Sequence, residues 1–186
     1  MTDINRSDLL ETARPPLADG GLGSATPPTR DELLACVELL FFAYRDFTGD
    51  PDAVLEKYGF GRAHHRVLHF VERNPGLRVA SLLDILKITK QSLARVLKQL
   101  IDQEFIVQKT GPEDRRERLL FATPKGAKLA GKLTDLQIKR MAGALDKAGP
   151  HSLETLFQVL LGMIGEPDRG MVASMVEQVS DKGTTR

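Results

Sequence analysis

The sequence predicts a mainly α fold carrying a small β-hairpin. Three observations lead there. Apolar residues recur at helical spacing over much of residues 29–58 and 125–164. Between these regions, two short helical patterns separated by a tight turn are followed by two strand-like runs, "IVQK" and "RLLFAT". Basic residues gather in the same middle: residues 61–128 hold 14 Lys+Arg against 7 Asp+Glu, while the flanks together are net acidic. A cationic centre inside acidic flanks is a footprint of phosphate binding, although an uneven helical surface produces the same count.

Composition narrows the field further. A chain of 186 residues, 41% hydrophobic, is long enough for one domain, or a small domain with an extension. No apolar run has the length of a membrane span and the start does not resemble a signal peptide, so no membrane partner is expected. The single cysteine, Cys36, excludes an internal disulfide and fits a reducing cytoplasm. With no Trp and two Tyr, stacking platforms for single strands are not expected.

In chain order, residues 1–28 are rich in Pro, Gly, Asp and Ser, with too few large apolar groups to offset ordering entropy, which predicts a mobile tail. Residues 29–58 are expected to form N-terminal helices. Thr29 and Glu32 make a capping box, followed by Leu33, Val37, Leu40, Phe41, Tyr44 and Phe47 at helical spacing. Leu39 and Phe42 make the opposite side apolar too, so a partner helix or second subunit should cover it. Asp50-Pro51 is expected to start a separate short helix, which "YGFG" ends.

Residues 59–124 hold the predicted reading head. A helix over 62–73 turns Val67, Leu68 and Val71 inward and ends at Asn74-Pro75-Gly76; a short helix covers 79–86. After a turn at Lys87 and Ile88, "TKQSLARVLKQLIDQEF" puts Leu93, Val96, Leu97, Leu100 and Ile101 on one arc. Gln91, Arg95 and Lys98 fall on the opposite arc, beside Ser92 and Gln99, and Thr89 is the N-cap. This is a helix-turn-helix pattern, with 89–103 as the helix whose N-terminal end enters a major groove. The strands that follow are joined through Thr110-Gly111-Pro112-Glu113, making the whole a winged helix-turn-helix. Thr123-Pro124 then opens the C-terminal helices, residues 125–186. These are a helix over 125–147, another over 152–164, and a weak turn or two over 171–179.

The hairpin tip, "EDRRER", sets Arg115, Arg116 and Arg118 where a wing meets a narrow, negative minor groove. Strand alternation would put Arg116 and Arg118 on one face and Arg115 on the other. Asp114 would be repelled by phosphate, so it reads as a wing-orienting residue paired with a basic side chain, Arg95 or Arg118. Lys109, on the first wing strand, joins the DNA-facing cations, while Thr89 and Lys90 suit phosphate more than bases.

The run "RVLHFVERNPGLRVASLLDILKITKQSLARVLKQLIDQEFIVQK", followed by "EDRRERLLFATPKG", resembles the MarR family of bacterial transcription regulators. The shared features include the Asp-x-Arg of the wing and the Thr-x-x-Gly opening the next helix. The resemblance implies a homodimer whose N-terminal helices, residues 29–58, and C-terminal helices, residues 125–186, intertwine as dimerisation helices, two winged helices on a pseudo-palindromic duplex, and no enzymatic activity. By position it implies that Asp114 and Arg116 are the structural Asp and the minor-groove Arg. Gln91, Ser92 and Arg95 then lie on the base-facing helix. Many such proteins release DNA when a small molecule lodges between the dimer helices and the winged helix, and Tyr44, Phe47 and His64 are candidates to line that cleft.

Other residues receive plainer readings. Cys36 lies five positions before Phe41, which occupies the place of the thiol in the peroxide-sensing branch of that family; an inert small hydrophobe is favoured over a redox sensor. His65, His69 and Glu72 share a helical face, but three ligands without a fourth favour a solvated or dimer-contact face over a metal site. His64, beside Val67 and Val71, also reads as a core residue. No nucleophile–base pair, phosphate loop or metal box is present, so neither metal nor cofactor is expected. The alternative to a DNA-binding regulator, cytoplasmic and at the nucleoid when bound, is a winged-helix adaptor that touches only protein. Its binding to duplex DNA would lack a steep salt dependence.

Overall fold

The structure, a computed structural model, describes residues 26–183. The tail expected over 1–28 lies outside the described residues as far as residue 25. Two units divide the chain, residues 1–40 and 41–186, and the boundary falls within α1 (Arg30–Leu55). In the first unit the capping box closes as its residue types dictate. The Thr29 amide and hydroxyl donate to Glu32 Oε2 at 2.7 and 2.8 Å, and the Glu32 amide donates back to Thr29 Oγ1 at 3.3 Å. These bonds, the backbone one foremost, hold the Glu32 carboxyl below its ordinary range. Leu33, Leu34, Val37, Leu39 and Leu40 are all exposed there.

In the second unit Phe41, Phe42 and Tyr44 are exposed as well, and burial begins near Thr48. The helix break expected at Asp50-Pro51 does not occur: α1 runs through Pro51 to Leu55. Proline removes one amide donor and crowds the turn before it. Here Pro51 and Leu55 are fully buried, and the Thr48 hydroxyl donates to the Tyr44 and Arg45 carbonyls at 2.9 and 3.2 Å. Apolar burial at those two positions offsets the lost bond. A single 3-10 turn, Glu56–Tyr58, ends at Gly59, whose φ of 67° suits glycine.

The helix-turn-helix and its hairpin follow. α2 (Arg62–Arg73) buries Val67, Leu68 and Val71 completely, and α3 (Val79–Leu86) buries Leu82. Arg66 reaches from α2 to the Leu86 carbonyl, 3.3 Å, capping the last turn of α3. Lys87 turns the chain in the left-handed region, φ 52°. α4 (Lys90–Asp102) packs Leu93, Val96, Leu97 and Leu100 inward. Beyond it, β2 (Ile106–Thr110) and β3 (Arg118–Ala122) form the expected hairpin, from Ile106 opposite Ala122 to Thr110 opposite Arg118.

The sheet has a strand that periodicity does not predict. β1 (Leu77–Arg78) pairs antiparallel with β3, Leu77 opposite Leu120 and Arg78 opposite Leu119, giving the order β1-β3-β2. Two residues are too short for an alternation signal; only the neighbouring strand turns this segment into sheet.

α5 (Pro124–Ala148) is fastened to the end of α4. Thr123 caps it, accepting the Gly126 amide at 3.0 Å, while its hydroxyl donates to the Glu104 carbonyl at 2.6 Å. Lys125 Nζ donates to the Gln103 carbonyl at 2.8 Å and lies 4.4 Å from the Phe105 ring centroid. Gly126 is required by space: a Cβ there would stand 2.0 Å from the Phe105 carbonyl oxygen. Leu129, Ala130 and Leu133 close the core. α6 (Ser152–Met163) and α7 (Glu166–Gly183) complete the described chain. α7 is far longer than the weak turns expected over 171–179, and its Asp168 forms a 3.0 Å ion pair with Lys87. No helix among the described residues is long and apolar enough to cross a membrane.

Candidate nucleic-acid interface

Because α4 buries one side so completely, its other side is determined. Lys90, Gln91, Ser92, Arg95 and Lys98 are all exposed. Thr89 Oγ1 accepts the Ser92 amide at 3.1 Å and donates to Ser92 Oγ at 2.9 Å, so both hydroxyls are organised at the helix N-terminus. Among the described residues, no side-chain hydrogen bond or ion pair engages Gln91 or Arg95. Lys98 differs: Asp102, one turn on, takes its ammonium at 2.5 Å and neutralises part of its charge locally.

The wing loop, 111–117, is built on its own polar groups. The Gly111 amide donates to the Glu117 carbonyl at 3.2 Å and the Glu117 amide to the Asp114 carbonyl at 3.0 Å. A Cβ at Gly111 would lie 2.7 Å from that Asp114 oxygen. The carboxylate–guanidinium partner expected for Asp114 is not what the structure contains. Asp114 Oδ1 accepts the Arg116 backbone amide at 2.8 Å, an Asx turn. The expected partner Arg118 instead donates from Nη1 to the Arg115 and Glu117 carbonyls, at 2.7 and 3.4 Å. An Asp side chain reaches the amide two residues on without crossing the loop, and the turn uses that bond. Strand alternation does not govern these arginines either: only Arg118 lies in β3, and Arg115 and Arg116 are in a turn. Their side chains are exposed and, among the described residues, make no hydrogen bond or ion pair, while Lys109 rests 5.0 Å from the Phe121 ring centroid.

A contact absent from any local pattern completes the wing. Arg78 Nε lies 3.1 Å from Glu117 Oε1, joining β1 to the loop. The partners are 39 positions apart and β1 has no periodic signature, so nothing in the sequence marks them as a pair.

The remaining candidates are dispersed. Tyr44 is exposed beneath the Arg62 guanidinium, 5.5 Å from its ring centroid, and Phe47 is half-buried. His64 is buried, stacked on Phe60 at 4.6 Å. Nδ1 accepts the Gly61 amide at 3.1 Å and Nε2 meets Gln99 Oε1 at 2.6 Å, so both ring nitrogens serve the fold. The solvated face expected at His65, His69 and Glu72 is only partly so: His65 is buried and His69 half-buried, while Glu72 is exposed. Among the described residues no three His, Cys, Asp or Glu side chains are grouped to hold a metal. Cys36 is exposed on α1.

A helix-turn-helix, a three-stranded wing sheet and long flanking helices define a protein of the winged-helix class. Comparison with known proteins narrows this. The MarR family description matches residues 58–117. The HTH-type transcriptional regulator PetP of Rhodobacter capsulatus is 46% identical over 136 residues, 73% of this chain and 82% of that protein. The chain belongs to the MarR family and is a transcription regulator, not an enzyme. Among solved structures, the transcriptional regulator SlyA superposes with a TM-score of 0.60 at 19% identity, covering 77% of this chain and 98% of that one. A mutant MarR from E. coli complexed with operator DNA gives 0.57 at 16% identity, covering 74% and 99%. At such identities these two matches speak for the fold.

Proposed function

We propose that the protein works as a homodimer that reads a pseudo-palindromic duplex. On this reading α4 enters the major groove and the arginines of the wing enter the flanking minor groove. One observation carries it above the others. The buried stripe of α4 forces Gln91 and Arg95 outward, and among the described residues their side chains, like those of Arg115 and Arg116 on the wing, have no hydrogen-bond or ion-pair partner. Cations left without partners on two consecutive elements are what a phosphate backbone and base edges require. Affinity then comes from phosphate neutralisation, with log K falling by about 0.9 per contact per log unit of salt. Base preference comes from Gln91, Ser92 and Arg95.

The apolar residues exposed on α1 and α6 support pairing of two chains. A small-molecule signal would act by biasing the spacing of the two reading heads, and about 1–3 kcal/mol of coupling suffices. Since His64 is committed to the core, Tyr44 and Phe47 are the members of the expected trio left to line an effector cleft. The site of action would be the bacterial cytoplasm, at the nucleoid when bound. Selection of bound duplexes from a random pool tests the reading in one experiment. A two-fold symmetric motif with half-sites about one helical turn apart is expected; a pool that stays random at low and moderate salt would overturn it.

A further inference from the structure

We infer that Glu117, held by Arg78, is a positioning residue for the DNA-reading wing. The inference rests on the wing reading above and assigns a part to two residues outside the expected interface.

The wing tip has little else to hold it. Its hydrogen bonds, Gly111 to Glu117, Glu117 to Asp114, Arg116 to Asp114 and Arg118 to Arg115, all lie within residues 111–118 and shape the loop without aiming it. The two-stranded ladder ends at Thr110 and Arg118. Among the described residues, the Arg78–Glu117 pair at 3.1 Å is the single hydrogen bond or ion pair from a side chain of 111–117 to another part of the molecule. Its geometry suits a strut. Arg78 is fixed at its backbone by β1, paired opposite Leu119 two residues beyond Glu117. Glu117 is the least exposed residue of the tip after Gly111, its side chain 27% exposed against 62% for Arg78. A Cβ at Gly111 would come within 3.1 Å of Glu117 Oε2, so glycine there also makes room for the carboxylate. Glu117 sits directly between Arg116 and Arg118, and wherever it is pulled, Arg116 goes with it.

The sign of the effect separates a strut from a mere charge. A carboxylate among cations facing phosphate opposes binding by simple electrostatics, so neutralising it should tighten the complex. If Glu117 aims the wing, Glu117→Gln should loosen it, by about two- to fivefold, the range of a partly exposed ion pair. The experiment is fluorescence anisotropy on the full-length protein with a selected duplex. It compares wild type with Glu117→Gln, Arg116→Ala, their double variant, and the exchanged pair Arg78→Glu with Glu117→Arg; thermal unfolding confirms equal stability. Weaker binding by Glu117→Gln at unchanged Tm is expected. So are recovery of at least half the loss in the exchanged pair, and little further loss when Glu117→Gln is added to Arg116→Ala. Neutral or tighter binding by Glu117→Gln, with Arg116→Ala still weakening the complex, overturns the strut alone. Arg116→Ala without effect overturns the wing reading beneath it. Full additivity in the double variant overturns the strut as well, because Glu117 would then act elsewhere than through Arg116.

Discussion

At the scale of single residues, Arg95 and Gly126 show how differently a position can matter. Arg95 is exposed and, among the described residues, has no side-chain hydrogen bond or ion pair, so Arg95→Ala should leave the thermal midpoint where it is. If its guanidinium reads a base, about 1–3 kcal/mol of discrimination disappears at one position of the site. Binding to a panel of single-base variants would show a flattened preference there, whereas an equal loss across the panel would mean a phosphate contact instead. Gly126 is the reverse case. A methyl group placed 2.0 Å from the Phe105 carbonyl must push α5 away from the end of α4. Gly126→Ala should destabilise by about 1–3 kcal/mol, the cost of forced overpacking, visible as a lowered denaturation midpoint. Unchanged stability would show that the joint between the two helices is slack.

Among the elements, α2 carries a pH dependence. Burial foremost, then the charge of His69, depresses the His65 pKa below its usual 6.5, with Asp52 pulling weakly the other way. His69 is depressed by burial and by Arg73, against Glu72. A folded-state value below the unfolded one means that the unfolded chain takes up protons first as pH falls. Stability is therefore full above about pH 6.5 and is lost below it. Thermal unfolding between about pH 7.5 and 5.5 should show the decline. His65→Gln should make it shallower; an identical slope in that variant would move the effect to other groups. Elements also explain which boundaries were readable. α2, α3, α4 and α5 start or stop at residues whose chemistry is local: Thr89 and Thr123 as caps, Asn74-Pro75-Gly76 as a stop. Pro51 misleads because its local penalty is outweighed by burial that no neighbouring residue announces.

For the whole molecule, the question is what the apolar surfaces are for. Leu153, Phe157, Leu160 and Met163 on α6 are each more than 40% exposed, an arrangement costly to leave in water. With pairing of two chains through these helices, Leu153→Glu combined with Phe157→Glu should yield a monomer. Since a two-headed reader loses its second half-site, duplex affinity should collapse with it. Sedimentation velocity reads the first outcome and anisotropy the second. A variant that stays dimeric would place the interface on other helices.

What the amino-acid order determined alone is whatever is written within a few residues: helical spacing, caps, the place of the wing's turn, and the polar outer face of α4. It also carried the family resemblance, which is a pattern of such local marks. Only the tertiary structure decided the fate of Pro51, the addition of β1 to the sheet, the hydrogen bond between His64 and Gln99, and the pairing of Arg78 with Glu117. Each of these depends on groups remote in the chain meeting in space, and a contact energy between distant residues leaves no trace in the periodicity of either.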